Sequence, residues 1–253
     1  MSAQWIHPDW PAPANVRALI TTRTGGVSRG PYGVPPLNRD GMNVGFASGD
    51  DVADVTANRA LLRAALPADP RWLNQVHGAA IVDAAQMPSG AVADASFADA
   101  PNVVCVVSIA DCMPVLFADA SGRCVGVAHA GWRGLAAGVI QATARAMRER
   151  LENPGAELLA YLGPAIGPRH FEVGAEVRDA MQANLPDARS AFAVQSDGKF
   201  LADLFALGRQ ALDQAGINRV YGGLDCTFSD PARFYSFRRD RTTGRHAALI
   251  WLV

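Results

Sequence analysis

Hydrophobic residues are most concentrated in the stretch from Val103 to Leu135. This stretch contains two apolar runs, which are separated by the segment ADASGR. Each run is short and rich in Val, Ile and Cys, as in a buried strand, and the segment between them has residues typical of turns. The pattern therefore predicts a buried β-hairpin.

The position of the turn also predicts which residues of the hairpin face each other. If the turn centres near Ser121, facing residues have numbers that sum to about 242. This register places Cys112 opposite Ala130 and beside His129, about 5 Å apart at Cα. A thiol and an imidazole therefore meet at the open end of the hairpin, directly before a helix predicted from Trp132 to Leu151.

Shorter patterns predict the remaining elements. The predicted strands lie at 16–21, 157–162, 219–222 and 247–252, with two short strands around His77 and Gly78. The predicted helices run from a cap at Asp50 or Asp51 to Leu66, and over 174–184 and 202–215. Residues 85–102 are small and polar and predict a loop. Because strands and helices do not alternate regularly, we expect a mixed sheet system with helices on its outer faces.

Length and composition narrow the function classes. The chain has 253 residues, 49% of them hydrophobic and 19% charged, and it contains no stretch that resembles an interdomain linker. We therefore expect a single domain over residues 1–253 with a large core. The formal net charge of -1 argues against a nucleic-acid partner held by electrostatics and leaves small anionic ligands open.

The start of the sequence and its cysteines suggest a cellular compartment. The residues MSAQWIHPDWPAP lack the charged and apolar regions of a secretion signal, and no apolar run is long enough to cross a bilayer. We therefore expect a cytoplasmic protein with no membrane partner. In that compartment the cysteines at 105, 112, 124 and 226 should stay reduced.

Three chemically distinctive side chains each end an apolar run with Gly or Pro within two residues: His77, Cys112 and His129. A lone histidine at such a position is more often structural, but the shared placement predicts that all three lie at a sheet margin. Two imidazoles and a thiolate match the ligand preference of zinc. Three protein ligands leave a fourth position open, as in catalytic zinc sites.

Two segments with arginine suggest where an anion could bind. Arg23 begins a long loop beside Gly25 and Gly26, whose backbones allow a ligand to approach closely. The segment CTFSDPARFYSFRRDRTTGRH interleaves arginines with aromatic residues, which suits a phosphate and a flat base. A surface arginine in a glycine turn and a cationic surface loop are the simpler explanations.

Several motifs together resemble one known family. They are TTRTGGVS, NQVHG, ADCMPVL, HAGWRGL, GPAIG with FEVG, and FYSFRRD with TGRHAALIWL, and they span nearly the whole chain. In this order they resemble the YfiH family, also called the laccase-domain or polyphenol oxidase family and later reclassified as purine nucleoside phosphorylases. Their joint occurrence is far more specific than any single motif.

The resemblance implies a fold, a cofactor and an activity. The fold is a single α+β domain with two mixed β-sheets flanked by helices, an α/β/β/α-like arrangement similar to the catalytic domain of cytotoxic necrotizing factors. The cofactor is zinc, held by His77, Cys112 and His129. The activities are phosphorolysis of adenosine, inosine, guanosine and methylthioadenosine, and deamination of adenosine. The expected partners are therefore a purine nucleoside and phosphate, and no oligomeric state is indicated.

Further residues receive roles within this hypothesis. The residues expected to be catalytic or to bind substrate are Cys112, His129, Arg23, Arg239, Asn43, Arg238 and Asp111. Arg23 and either Arg238 or Arg239 would hold phosphate against C1′ of the ribose. Asp111 could instead orient the turn that carries Cys112.

The chain departs from the family pattern at two places. The first loop has extra residues around VPPLNRDG, which could change the shape of the pocket. His170 stands in the GPAIG segment where many relatives have cysteine, which removes one thiol near the site. Neither departure affects the three expected zinc ligands.

Three alternatives belong to other function classes. A copper-dependent polyphenol oxidase would need several copper sites, for which five histidines are too few and too dispersed, although a single copper could give weak oxidation. A metal-free hydrolase could use Cys112 as nucleophile and His129 as base, for example as an amidase that edits peptidoglycan precursors. A non-enzymatic metal-binding protein is the third alternative.

Overall fold

Two β-sheets packed face to face form the centre of the protein, and helices cover their outer surfaces. The computed structural model describes residues 4–88 and 90–253. The strands are β1 (Val16–Ile20), β2 (Thr24–Ser28), β3 (Ile81–Asp83), β4 (Ala95–Ala98), β5 (Cys105–Ile109), β6 (Met113–Asp119), β7 (Val125–Ala130), β8 (Leu158–Leu162), β9 (Glu172–Val173), β10 (Phe192–Val194), β11 (Phe200–Ala202), β12 (Arg219–Gly222) and β13 (His246–Leu252).

The helices are short to medium in length. They are α1 (Val52–Arg63), α2 (Trp132–Ala136), α3 (Val139–Arg150), α4 (Ala175–Gln182), α5 (Leu204–Gln214) and α6 (Phe237–Asp240), with single 3-10 turns at Gly30–Tyr32, Phe46–Ser48, Ala188–Ala191 and Ser196–Gly198. Within the described residues, no helix combines the length and the apolar character that crossing a membrane requires.

The larger sheet has the strand order β12-β8-β6-β7-β4-β3. Its outermost pairs, β12 with β8 and β3 with β4, are parallel, and the pairs between them are antiparallel. The second sheet, β1-β13-β5, is antiparallel throughout, and a small third sheet has the order β10-β11-β9. The expected α+β class, with sheets flanked by helices, is confirmed, but the second sheet is not mixed and the third was not predicted.

Strand β13 shows how the layers are held together. Its alternate residues Leu249 and Trp251 pack with Leu62 of α1, whereas Ala248 and Ile250 pack in the cluster between the two sheets. This period of two is the expected pattern for a strand that is buried on both faces. Each large apolar side chain buried in this way contributes roughly 1.5–3 kcal/mol.

The predicted hairpin is present as β6 and β7, but its register differs by one residue. Met113, rather than Cys112, pairs with Ala130. Cys112 therefore lies opposite Gly131, where a Cβ atom would approach the Cys112 sulfur to 2.7 Å.

The reason for the shift is the position of the turn. The backbone N–H of Asp119 donates to the carbonyl of Cys124, so the turn centres between Ser121 and Gly122 instead of on Ser121. Gly122 adopts a φ of 72°, which a residue with a Cβ atom rarely adopts. The composition of the segment predicts a turn but does not fix its centre to one residue.

Three other predictions need correction. The helix predicted over 132–151 is divided into α2 and α3, because Gly138 has a left-handed φ of 81°. Residues 85–102 are not all loop, since they contain β4, whose sequence ASFA lacks a β-branched pattern. Of the two short strands predicted around His77, the second is β3, and the first is reduced to isolated bridges. The other predicted strands and helices are present, with ends that differ by a few residues.

His246 is a fully buried histidine at the start of β13. Its Nε2 accepts a hydrogen bond from the backbone N–H of Tyr235 at 2.8 Å. Burial and the positive charge of Arg23 lower its pKa to about 3, so the folded protein holds this ring neutral.

We expect acid to destabilise the protein partly through His246. The unfolded chain protonates histidine near its ordinary pKa of about 6.5. The stability that neutral His246 provides is therefore present above this pH and is lost as the pH falls from about 6.5 towards 3. In urea unfolding between about pH 6.5 and 4.5, the free energy of unfolding of the wild type should fall more steeply than that of His246→Gln, by up to about 1.4 kcal/mol per pH unit. Equal slopes would contradict this role.

Candidate metal centre

Three side chains that are distant in sequence come together at one end of the larger sheet. The ligand atoms of His77, Cys112 and His129 all lie within 4.8 Å of one another. The two imidazole rings meet edge to face, with centroids 4.8 Å apart and planes at 73°. Across 4–88 and 90–253, this is the one group of three or more His, Cys, Asp or Glu side chains that could hold a metal ion.

The sheet topology explains why these residues meet. His129 lies one residue before the end of β7, Cys112 lies directly before β6, and His77 lies in the loop before β3. Strand β7 is antiparallel to both β6 and β4, and β3 is parallel to β4. The end of β7 and the starts of the other three strands therefore lie at the same edge of the sheet.

A buried carboxylate, Asp94, connects two of the three ligands. Its Oδ1 lies 2.8 Å from Nδ1 of His129 and accepts the backbone N–H of His77 at 3.0 Å. Its Oδ2 accepts the backbone N–H groups of Val76 at 3.1 Å and Gly78 at 2.7 Å. Since Nδ1 of His129 faces this carboxylate, Nε2 is left available to a metal ion. Asp94 therefore both orients His129 and shapes the loop that carries His77.

Asp94 is not predicted from the sequence. It lies within 85–102, which was predicted to be a loop. In addition, the sequence alone does not distinguish a buried aspartate from an exposed one. The one available signal is its place in GAVADASFADA, where Asp94 and Asp99 are the only charged residues among mostly small ones. That signal is too weak to distinguish a buried carboxylate from a turn residue.

Electrostatics favour a charged Cys112–His129 pair. Burial opposes ionisation of the Cys112 thiol, but the charge of His129 and hydrogen bonds from both histidines outweigh it and lower the pKa to about 6. Burial likewise disfavours protonated His129, but Cys112 and Asp94 raise its pKa to about 9. Cys112 is therefore mostly thiolate at neutral pH, which is the form that binds metals, and a bound metal ion would displace the proton that His129 carries.

The donor set fits a zinc ion. Zinc bonds of about 2.0–2.3 Å at a tetrahedral angle place two donors roughly 3.3–3.8 Å apart. The donors here all lie within 4.8 Å of one another, so shifts of about 1 Å would let them share one ion. His77 is exposed and His129 is buried, so one side of the cluster faces solvent and the other faces the core. Such an arrangement provides three protein ligands and an accessible fourth position.

Comparison with known proteins places the chain in a family. A family model described as "Multi-copper polyphenol oxidoreductase laccase" matches residues 17–253. The chain belongs to this laccase-domain family. Among its relatives, the "Purine nucleoside phosphorylase PA4543" of Pseudomonas aeruginosa is 52% identical over 250 residues, which cover 98% of each chain. The "Purine nucleoside phosphorylase YfiH" of Escherichia coli K12 is 46% identical over 251 residues, also 98% of each chain.

Solved structures of related proteins have the same fold. The crystal structure of the Neisseria meningitidis protein NMB0706 is similar with a TM-score of 0.90 and 47% identity, covering 98% of each chain. The structure of YlmD from Geobacillus stearothermophilus has a TM-score of 0.87 and 33% identity, covering 98% of this chain and 96% of YlmD. These two structures therefore share the fold of this chain over 98% of its length.

Asp111 supports the turn before Cys112 in this laccase-domain protein. It has a positive φ of 88°, and its carboxylate accepts hydrogen bonds from Oγ1 of Thr227 at 2.6 Å and from the backbone N–H of Arg238 at 2.7 Å. Its carbonyl accepts the N–H of Ile166 at 3.0 Å. These contacts favour the positioning role considered for Asp111 over direct contact with substrate.

Arg23 is buried with its guanidinium directed at backbone carbonyls. It donates to Gly33 at 2.8 Å, Pro31 at 3.0 Å and Pro231 at 3.3 Å, and it lies 3.6 Å from the carboxylate of Asp240. All three guanidinium nitrogens have acceptors in this arrangement. The placement favours a structural role, in which Arg23 fixes the first loop, over the predicted phosphate contact.

Arg239 is engaged in a similar way. Its Nε and Nη2 form a two-point ion pair with Asp240 at 2.8 and 2.7 Å, and its Nη1 donates to the carbonyls of Thr227 and Phe228. The side chain of Arg238 donates to the carbonyl of Glu172 at 2.7 Å.

Asn43 is fully buried, and its amide is occupied by protein groups. Its Nδ2 donates to Ser48 and Asp50, and its Oδ1 accepts the backbone N–H groups of Gly45 and Arg245. Asn43 therefore joins the first loop to the start of β13. Its predicted contact with substrate stays a prediction.

His170 lines a cavity that is distinct from the cluster. The cavity has a volume of about 460 Å³ and is formed by residues 167–170, the start of α5 and residues 223–229. The His170 ring stacks on Phe228, with centroids 4.3 Å apart. His170 therefore packs on an aromatic ring and does not join the three candidate ligands.

Gly131 is the position where the smallest change should disturb the cluster. A Cβ atom on Gly131 would lie 2.7 Å from the Cys112 sulfur, although its φ of -68° suits any residue. We expect Gly131→Ala to displace the sulfur and to weaken zinc binding by about 10-fold or more. Gly155→Ala is the matched control, because its Cβ would meet its nearest atom at 3.6 Å. Zinc titration against a competing chelator measures both, and equal affinities would contradict the expectation.

Proposed function

We propose that this protein is a zinc-dependent purine nucleoside phosphorylase. The observation that carries the proposal is the cluster of His77, Cys112 and His129, oriented by Asp94, in a chain that aligns over 98% of its length with relatives named purine nucleoside phosphorylase. When bound, zinc would supply a Lewis acid with one open position beside the substrate.

The proposed phosphorolysis exchanges one bond at the ribose for another. An oxygen of inorganic phosphate bonds to C1′ while the bond between C1′ and N9 of the purine breaks. The base leaves with the electron pair and takes up a proton at a ring nitrogen, so the products are the free base and ribose 1-phosphate. The protein must hold phosphate in line with the departing base and stabilise the developing charge.

Deamination of adenosine is the second proposed activity. Water adds its oxygen to C6 of the purine, ammonia leaves, and inosine forms. The proposed substrates of phosphorolysis are adenosine, inosine, guanosine and methylthioadenosine. Both reactions need a route from solvent by which the nucleoside reaches the cluster, and exposed His77 marks the open side.

The donor set argues against a multi-copper oxidase. Such an enzyme holds an electron-transfer copper and a separate oxygen-reducing centre, and each requires several histidines. In the described part of the chain, two of the five histidines lie in the cluster. His170 and His246 pack against aromatic rings elsewhere. A single copper ion in the His-Cys-His site is the form of copper binding that this geometry would allow.

One observation favours a second candidate, a cysteine hydrolase. Asp94, His129 and Cys112 form a carboxylate–imidazole–thiol series, which is the order of groups in a nucleophilic triad. The lowered pKa of Cys112 would supply a thiolate at neutral pH without a metal. This candidate predicts cleavage of an amide, such as one in a peptidoglycan precursor, through a thioester at Cys112.

Nucleoside assays combined with metal analysis test the proposal. Protein purified without added metal should contain zinc, and it should release free base from adenosine, inosine or guanosine only when phosphate is present. Removal of the metal with a chelator should abolish the activity, and added zinc should restore it. Amide cleavage that persists in chelator would favour the hydrolase, and copper with oxygen consumption would favour the oxidase.

A further inference from the structure

The arginines of this protein differ in how many donors they have free. Arg23 and Arg239 direct all of their guanidinium nitrogens at carbonyl or carboxylate oxygens of the protein. To bind phosphate, either would have to give up charge-assisted or buried hydrogen bonds, which are expensive to leave unmade. A phosphate site requires an arginine with a free edge, which means a side of the guanidinium whose N–H groups have no acceptor in the protein. Arg238 keeps Nε and Nη2 without an acceptor among the described residues, but its guanidinium is directed at Glu172 of β9 and at the Phe171 ring.

Arg245 has a free edge as well. Its backbone N–H donates to Oδ1 of Asn43 at 2.8 Å, and its Nη1 donates to the carbonyls of Thr243 and Gly244 at 3.1 and 3.0 Å. Its Nε and Nη2 have no acceptor among residues 4–88 and 90–253, and its guanidinium forms no ion pair with them. Neither nitrogen is among the buried side-chain atoms that lack a partner, so this edge of the half-buried guanidinium is accessible to solvent and to an anionic ligand.

Arg245 also lies at the metal-centre end of the second sheet. The residue after it, His246, pairs with Ile109 at the end of β5, and Cys112 follows Ile109 by three positions. Burial lowers the pKa of Arg245, while the charges of Cys112 and Asp111 raise it, so the guanidinium lies within electrostatic reach of both groups.

An exposed aromatic ring borders this guanidinium. Phe237, the first residue of α6, is 47% exposed. The guanidinium carbon of Arg245 lies 5.8 Å from the centroid of its ring. The next residue along α6, Arg238, donates its backbone N–H to Asp111, which ties this ring to the turn that carries Cys112. Exposed aromatic rings beside a cationic group suit the stacking of a base or sugar face.

We propose that the free edge of Arg245 binds the phosphate substrate beside the His-Cys-His cluster, with Phe237 as the adjoining surface for the nucleoside. The inference rests on the proposed phosphorylase function and names the anion subsite of that same centre. A guanidinium presents two parallel N–H groups to a phosphate, and such pairing gives both affinity and orientation. Phosphate held there neutralises the half-buried charge and lies next to the centre where C1′ must be placed.

Arg241 provides a matched control. Its guanidinium carbon is 6.0 Å from the centroid of the same Phe237 ring, but Arg241 is exposed to solvent and Arg245 is half-buried. We expect Arg245→Gln to raise the phosphate KM by at least about 10-fold, with the nucleoside KM changed less than about twofold. Arg241→Gln should change both values less than about twofold, because exposed charges bind weakly in water. Arg245→Lys keeps the positive charge but lacks the two parallel N–H groups of the guanidinium. Its phosphate KM should therefore lie between those of the wild type and Arg245→Gln.

Titration calorimetry with inorganic phosphate alone separates this inference from the proposed function. If the wild type binds phosphate and Arg245→Gln does not, the anion site stands even where no phosphorolysis is found, and only the proposed function fails. If Arg245→Gln retains wild-type phosphate KM and Kd, or if Arg241→Gln is affected equally, the assignment to Arg245 is overturned. Thermal unfolding of each variant shows whether it is folded, and Arg245→Lys decides the outcome if Arg245→Gln does not fold.

Discussion

Replacing Cys112 with serine should remove bound zinc and phosphorolytic activity together. The sulfur is one of three protein donors, and its ionisation is already favoured by the charge of His129 and by hydrogen bonds from both histidines. A serine hydroxyl at this position does not ionise at neutral pH and is a poor zinc ligand. Loss of a residue that only supports a ligand costs 10–100-fold in metal affinity or activity, so loss of the ligand itself should cost more than about 100-fold.

Cys226→Ser is the matched control for this experiment. Cys226 is also half-buried, and its sulfur accepts hydrogen bonds from the N–H of Gly167 and the hydroxyl of Ser229 at 3.2 Å each. It lies outside the cluster, so its variant should keep wild-type zinc content and activity. Zinc content is measured on both purified variants, and base release is measured with phosphate present. If Cys112→Ser lost activity and kept full zinc affinity, Cys112 would be a nucleophile instead of a ligand.

The sequence is informative about the hairpin for a physical reason. Strands that are buried on both faces must be apolar at nearly every position, so β6 and β7 are visible as continuous apolar runs. The register is less visible, because it depends on hydrogen bonds in the turn between Asp119 and Cys124. A shift of one residue was enough to place Gly131, instead of Ala130, opposite Cys112.

The convergence of the three ligands is predictable for a related reason. His77, Cys112 and His129 each mark the point where an apolar run stops, and the ends of paired strands lie at a common edge. Strand β4, which brings the His77 loop next to β7, is made of small residues and was predicted to be a loop. The sequence therefore predicts the ligands but not the strand that brings two of them together.

The arginines show that a single sequence does not reveal which guanidinium groups are free to bind a ligand. Arg23 and Arg239 stand in segments with the composition of an anion site, yet their donors are used by carbonyls and by Asp240. Arg245 lies in the same arginine-rich segment as Arg239, but its sequence position does not distinguish it from the other arginines there. Which guanidinium is free is decided by the packing of loops that are far apart in the chain, as in the contact of Arg245 with Asn43.

The sequence does not show that Asp94 is buried beside the metal centre. The geometry nevertheless predicts that the isosteric replacement Asp94→Asn should have the largest effect after replacement of the candidate ligands themselves. Each carboxylate oxygen accepts two donors: the backbone N–H of His77 and Nδ1 of His129 on Oδ1, and the N–H groups of Val76 and Gly78 on Oδ2. The amide of Asp94→Asn presents one oxygen and one NH2 group. Whichever way it is oriented, two of the four donors lose their acceptor.

We therefore expect Asp94→Asn to weaken zinc affinity by about 10–100-fold and to lower stability by about 1–3 kcal/mol for each donor left unpaired. If the NH2 group faces His129, Nδ1 must become an acceptor, and the proton moves to Nε2, where it blocks coordination. Asp83→Asn is the control, since Asp83 is half-buried and caps only the N–H of Ala85. Zinc affinity is measured by chelator competition and stability by urea unfolding in chelator, where metal binding contributes nothing. A loss of stability with unchanged zinc affinity would show that Asp94 supports the loop alone, and an intact variant in both measurements would show that neither histidine depends on this carboxylate.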